Sequence, residues 1–151
     1  MKLGLGFTLV ELLVVVAISA VLFGGGLAAY RGIGDKQAVK QNGATFLSNL
    51  RSVQQKALAS EKPTDCGTNP FKGYRVNTSH SSYYTVTAWC VGGVAKKIDL
   101  TDGVEFVDPF NIYFQVLKAE VLGAQTVTLS KGTTSYEVTI EQRGVISGEL
   151  L

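Results

Sequence analysis

Polar positions nearly vanish from the opening of the chain. From Leu12 to Ala29 the only polar side chain is Ser19, and Phe7 and Tyr30 extend the apolar run at its two ends. As a helix, Phe7–Tyr30 is about 36 Å long, enough to cross a hydrocarbon core of about 30 Å. Two other readings compete. A buried soluble helix is rarely this long without charge. A cleaved secretory signal has a shorter apolar stretch and a basic start, whereas here the cations are Lys2 and the amino terminus; SAVLFGGGLAA does offer small residues for a cut. Gly24, Gly25 and Gly26 interrupt the helical pattern, each at a cost of about 1 kcal/mol against alanine. They predict a firm first half of the helix and a second half able to melt or stretch.

After Tyr30 the pattern changes to a stripe. Val39, Gly43, Phe46, Leu50, Val53 and Ala57 recur at three- and four-residue spacing, joined by Leu47 and Leu58, which predicts an amphipathic helix lying on the chain's own sheet. Asp35 is placed to cap a restart of the helix after Gly34. Pro63 stops the pattern, and PTDCGTNPFKG reads as a loop. Beyond it the period shortens to two. YRVNT, SYYTVTAWCV, AKKIDL, VEFV, IYFQVLKAEVL, TVTLS, SYEVTIE and GVIS read as strands, with turns at Gly132 and Gly144. The fold class is therefore α+β: a long N-terminal helix packed on an antiparallel β head in two small sheets.

Composition narrows this only a little. The chain has 151 residues, 46% of them hydrophobic, and a net charge of +2, room for one compact domain with an anchor. A nucleic-acid-binding domain usually carries a more basic balance or a concentrated basic stripe. Cys66 and Cys90 are the only cysteines. An even count in an exported chain favours a disulfide, and two free thiols in a reducing compartment are the alternative.

One residue breaks the apolar run. Glu11 lies near its start, where a carboxylate costs several kcal/mol and is usually functional. Snorkelling to the interface would reduce that cost. A cut after Gly6 gives it another partner. The new amine at Phe7 would lie one helical turn before the Glu11 carboxylate, and both groups are charged at neutral pH. They would neutralise each other within one chain or between axially shifted neighbours, making Glu11 an assembly key.

GFTLVELLVVVAI closely resembles the processing site of type IV prepilins and of the pseudopilins of type II secretion. The resemblance implies a leader, 1–6, cut by a prepilin peptidase after Gly6. It implies N-methylation of Phe7 and an assembly glutamate at Glu11, fifth in the mature chain; a cut after Gly4 would make it seventh. It further implies a membrane and filament-core helix over 7–30, an amphipathic helix over 31–62 and a β-rich head over 63–151. The head would lie outside the cytoplasm, although Arg31, Lys36 and Lys40 after the run outnumber Lys2 before it. The glycine triplet falls where filaments of this family lose helicity. The implied partners are the peptidase, other pilin or pseudopilin subunits, and an inner-membrane assembly platform. FLSNLRSVQQKALASEKPTDC is similar to the helix of the GspH/FimT-like branch, the H-type pseudopilins and related minor pilins.

Catalytic and metal-binding patterns do not emerge. His80 is the single histidine, in the loop NTSHSS, and with the cysteines it makes no familiar zinc spacing. Asp99 and Asp102 before Gly103 do not have the spacing of an EF-hand loop. No G-x-S-x-G, Walker loop or H-E-x-x-H is present. The reading is a structural subunit with no enzymatic activity, no cofactor and no metal. Because some minor pilins of this branch assist DNA uptake, Lys131 and Arg143 are candidate DNA contacts, with Lys96, Lys97 and Lys118 also scattered through the strands. A solvated face is the simpler account of those cations. A minor pseudopilin binding secretion substrate or sister subunits is the other alternative.

Overall fold

The computed structural model describes residues 8–151; the side chains of 23–31 lie outside the description. One helix, α1 (Leu9–Leu58), is followed by a short 3-10 turn at Thr64–Cys66 and nine strands. The strands are β1 (Gly73–Thr78), β2 (Tyr83–Ala88), β3 (Ala95–Asp99), β4 (Glu105–Phe106), β5 (Phe110–Gln115), β6 (Val121–Leu122), β7 (Gln125–Lys131), β8 (Thr134–Ile140) and β9 (Ile146–Leu150). They form two antiparallel sheets, ordered β3-β2-β1-β5-β6 and β4-β7-β8-β9. The α+β class and the two-sheet head are as the sequence predicts. Backbone contacts group the chain into two units, Met1–Gly34 and Asp35–Leu151.

The second unit is built around the stripe of α1. Val39, Phe46, Leu50, Val53 and Ala57 are buried, and Ala38 and Asn42 join them. Phe46 is the hub. Its ring centroid lies 5.0 Å from that of Tyr84 on β2, 5.3 Å from Phe106 on β4 and 5.5 Å from Phe110 on β5. One side chain thus ties the helix to both sheets, and each aromatic pair contributes roughly 0.5–1.5 kcal/mol beyond its burial. Gly43 makes close approach possible on the four-stranded side, because a Cβ there would collide with the Tyr136 ring of β8.

Among the described residues, the buried side-chain polar atoms are partnered except Thr87 Oγ1. The Asn42 amide donates to the Ala38 carbonyl (2.9 Å) and to Thr101 Oγ1 (3.2 Å), and its oxygen accepts the Thr101 N–H (3.0 Å). This fixes the β3–β4 connection against α1. Asn49 donates to the Tyr84 hydroxyl at 2.7 Å. Burial raises the pKa of that phenol, while the Asn49 bond acts in the opposite direction. Arg51 and Gln54 donate to the carbonyls of Ile146 and Gly144, at 2.8 and 2.7 Å, and hold the β8–β9 hairpin to the helix.

Three sequence expectations are corrected. No restart occurs at Asp35; α1 is continuous there, and Asp35 instead accepts an ion pair from Lys131 at 2.9 Å. The helix ends at Leu58, before Pro63, and Leu58 is exposed. Ser60 sits at φ 54° with its N–H on the Ala57 carbonyl, and the Glu61 N–H reaches the Lys56 carbonyl. That is a Schellman stop with serine where glycine is usual. The stretch IYFQVLKAEVL is two strands rather than one, β5 and β6, turned at Leu117 with φ 57°.

Cys66 and Cys90 form a disulfide across 24 residues of sequence, with Cα atoms 5.7 Å apart. It ties the 3-10 turn to the end of β2. Closing a loop of this length stabilises by about 3.5 kcal/mol on the chain-entropy account. Replacing both cysteines with serine should lower unfolding stability by roughly that amount, read from the urea midpoint; an unchanged midpoint would contradict the assigned role. Ser60→Gly should act in the other direction. Relief of the left-handed serine is worth about 0.5–1 kcal/mol, so the midpoint of thermal unfolding should rise by a few degrees.

Candidate functional site

The candidate site lies at the N-terminal end of α1. Thr8 precedes α1 and caps it. Its hydroxyl accepts the Glu11 N–H at 3.3 Å, and its carbonyl accepts the N–H groups of Glu11 and Leu12 at 3.1 and 3.2 Å. TLVE is therefore a T-x-x-E capping sequence with its serine/threonine half in place. That local signal was present in the sequence beside the assembly motif. It gives Glu11 a second reason to be acidic, since a carboxylate in the first turn faces the positive end of the helix dipole.

The side chains that follow have no core of their own. Leu9, Val10, Leu12, Leu13, Val14, Val15, Val16, Ile18, Val21 and Leu22 are all between 49% and 80% exposed. They point in every direction around the helix, and a helix apolar all round is built to be surrounded. At roughly 1.5–3 kcal/mol for a fully exposed side chain of this kind, and with these ten about two-thirds exposed, covering them is worth on the order of 10–20 kcal/mol. Burying one carboxylate costs several kcal/mol. On this balance an apolar environment would suit the segment even with Glu11 in it.

The remaining predicted positions fall unevenly. Gly6 and Phe7 lie outside the described residues. Gly24, Gly25 and Gly26 fall within the backbone of α1, in the stretch whose side chains are outside the description. The predicted membrane segment, 7–30, shares that limit; among the described residues no helix is long and apolar enough to cross a membrane.

The two candidate DNA contacts are not brought together. Lys131 ends β7 and pairs with Asp35, whereas Arg143 follows β8 and pairs with Glu141 at 2.6 Å. The length of β8, about 20 Å, lies between them. Glu141 raises the pKa of the Arg143 guanidinium through a hydrogen bond and its charge. With each cation neutralised by a carboxylate, neither offers a ready phosphate contact. Lys97 is paired as well, with Asp99 at 2.6 Å.

The other polar candidates have local roles. His80 stacks on Tyr83, with centroids 4.6 Å apart. The Thr101 hydroxyl donates to Asp102 at 3.0 Å in the turn after β3. Among the described residues no three His, Cys, Asp or Glu side chains converge as a metal site. What sequence reasoning missed is the outward face of the five-stranded sheet, where Trp89, Tyr113, Lys72 and Arg75 gather. The alternation of YRVNT and YYTVTAW carried that signal, but only the strand register places the residues side by side.

Comparison with known families decides what the N-terminal segment is. The description "prokaryotic N-terminal methylation motif" matches residues 1–27. The chain carries this motif. It is the class III signal of type IV pilins and pseudopilins, and it supports a structural subunit of that type, processed by a prepilin peptidase and assembled with other pilin subunits. It also supports a membrane-anchored precursor. Neither the curated proteins nor the solved structures gave a match.

Proposed function

We propose that this chain is the precursor of a filament subunit, of a type IV pilus or a type II secretion pseudopilus, whose assembly is keyed by Glu11. The supporting observation is a helix apolar all round whose described turns, Leu9–Leu22, carry Glu11 as their one charge, within a matched methylation motif.

Cleavage after Gly6 frees the Phe7 amine, which is then methylated. Until assembly, the apolar helix over 7–30 lies in the bilayer with the head outside the cytoplasm. On assembly, lipid is exchanged for the helices of neighbouring subunits. The apolar term is nearly equal in the two settings, because lipid tails and leucine side chains are similarly apolar. Charge then decides the register. An unpaired Glu11 in low dielectric is strongly unfavourable, and a neighbour's Phe7 amine relieves it at one axial offset. Gly24, Gly25 and Gly26 allow the helix to stretch to that offset. The assembly platform supplies the subunits in turn. The helix sequence FLSNLRSVQQKALASEK favours the GspH/FimT-like branch, hence a minor subunit.

Capping and charge pairing make different demands on residue 11. Glutamine serves at the third position of a capping box as glutamate does, but it carries no charge. Glu11→Gln should leave membrane insertion and leader cleavage intact and reduce incorporation into sheared filaments at least tenfold. Glu11→Ala should do the same. Incorporation of the glutamine variant at the parental level would show that the cap, and not the charge, is what Glu11 supplies.

A further inference from the structure

We propose that the outward face of the five-stranded sheet binds an acidic polysaccharide, a polymer of carboxylate- or sulfate-bearing sugars. This goes beyond the assembly reading and uses none of its residues.

The face is set by register. On β1, Tyr74, Val76 and Thr78 are buried, so Arg75 and Asn77 point outward. Arg75 stands opposite Tyr113 on β5 and Thr87 on β2. Lys97 on β3 stands opposite Thr85, which is itself opposite Asn77. At the near end, the Trp89 N–H donates to the Gly73 carbonyl at 2.8 Å, placing the indole beside a residue with no side chain. Gly73 has φ 132°, and a Cβ there would strike the Phe114 carbonyl. The rings of Trp89 and Tyr113 meet over this bare strip, 5.2 Å apart. Lys72 lies over the Trp89 ring at 5.6 Å, and Lys97 over Tyr83 at 4.4 Å.

Three cations therefore occupy three successive rows of the sheet, a length of about 14 Å. Asp99 is the one carboxylate at the paired strand positions of these rows and the next, and it pairs with Lys97; Glu120 lies just before β6, at the Gln115 edge. Among the described residues, neither Lys72 nor Arg75 has a carboxylate at ion-pair distance. The complement of such a face is an extended anion. Its other groups narrow the class. Nucleobases bind sheet faces by stacking on bare aromatic rings. Here two of the rings already carry an ammonium group over them, and the one on Trp89, Lys72, has no carboxylate partner among the described residues and is held in place for a carboxylate or sulfate. Between the cations stand the amides of Asn77, Asn111 and Gln115 and the hydroxyl of Thr85, which suit sugar hydroxyls. A flat, half-apolar, amide-rich and cationic surface fits an acidic glycan better than a nucleic acid.

The test uses the full chain in detergent micelles, with polygalacturonate, neutral dextran and a single-stranded oligodeoxythymidine as probes. The expected result is binding to polygalacturonate that weakens with added salt and exceeds binding to dextran and to the oligonucleotide. Arg75→Gln combined with Lys72→Gln, both exposed positions, should weaken it at least tenfold, as should Trp89→Ala. Lys131→Gln should leave it unchanged. Should Trp89→Ala fail to fold by circular dichroism, the exposed pair decides alone. Equal binding to dextran, tighter binding to the oligonucleotide, no binding to polygalacturonate, or full binding by the Arg75/Lys72 variant would each overturn the proposal.

Discussion

The apolar surface of the first turns of α1 is the constraint on which the rest of the molecule depends. A side chain such as Leu9 or Val21, more than three-quarters exposed, has no partner within its own unit. Water is a poor solvent for ten of them in succession. Covering them calls for an apolar environment, in which Glu11, the one charge of Leu9–Leu22, would need a partner. In the proposed assembly, sorting between lipid and filament cannot rest on the apolar side chains, which both environments accept, and would fall to Glu11, the one charge of the described turns Leu9–Leu22.

The same helix serves a second purpose further along. From Ala38 onward its stripe is fully committed to the head, through the Phe46 cluster, the close approach at Gly43 and the Asn42 bonds to Thr101. These contacts fix the face that α1 presents to the two sheets. The disulfide and the Schellman stop then hold the exit of the helix and the start of the sheet. The head is stabilised by ordinary core physics, and nothing in that core asks for the apolar turns. The two units can thus answer to different surroundings without competing for the same side chains.

Much of this was legible in the sequence. The stripe from Val39 to Ala57 showed the buried face because helical periodicity is a strong signal over that length. The N-terminal methylation motif was legible through the resemblance carried by GFTLVELLVVVAI. The misses have physical causes. Leu58 belonged to the stripe by spacing, but the helix had already turned at Ser60, and a left-handed serine leaves no composition signal. Leu117 hides a turn within an apolar run for the same reason. Asn42 is polar and so falls outside the apolar stripe, although its amide closes the core. The pairings of Lys131 with Asp35 and of Trp89 with Tyr113 depend on sheet order, which alternation alone does not reveal.

The most direct measurement is the intact mass and N-terminal sequence of the protein purified from cells that make it naturally. A mature chain beginning at Phe7 and carrying one added methyl group is the predicted result. It would place the amine one turn from the Glu11 carboxylate, as the charge-pairing account requires. A chain still beginning at Met1, or one cut beyond the glycine triplet, would contradict it.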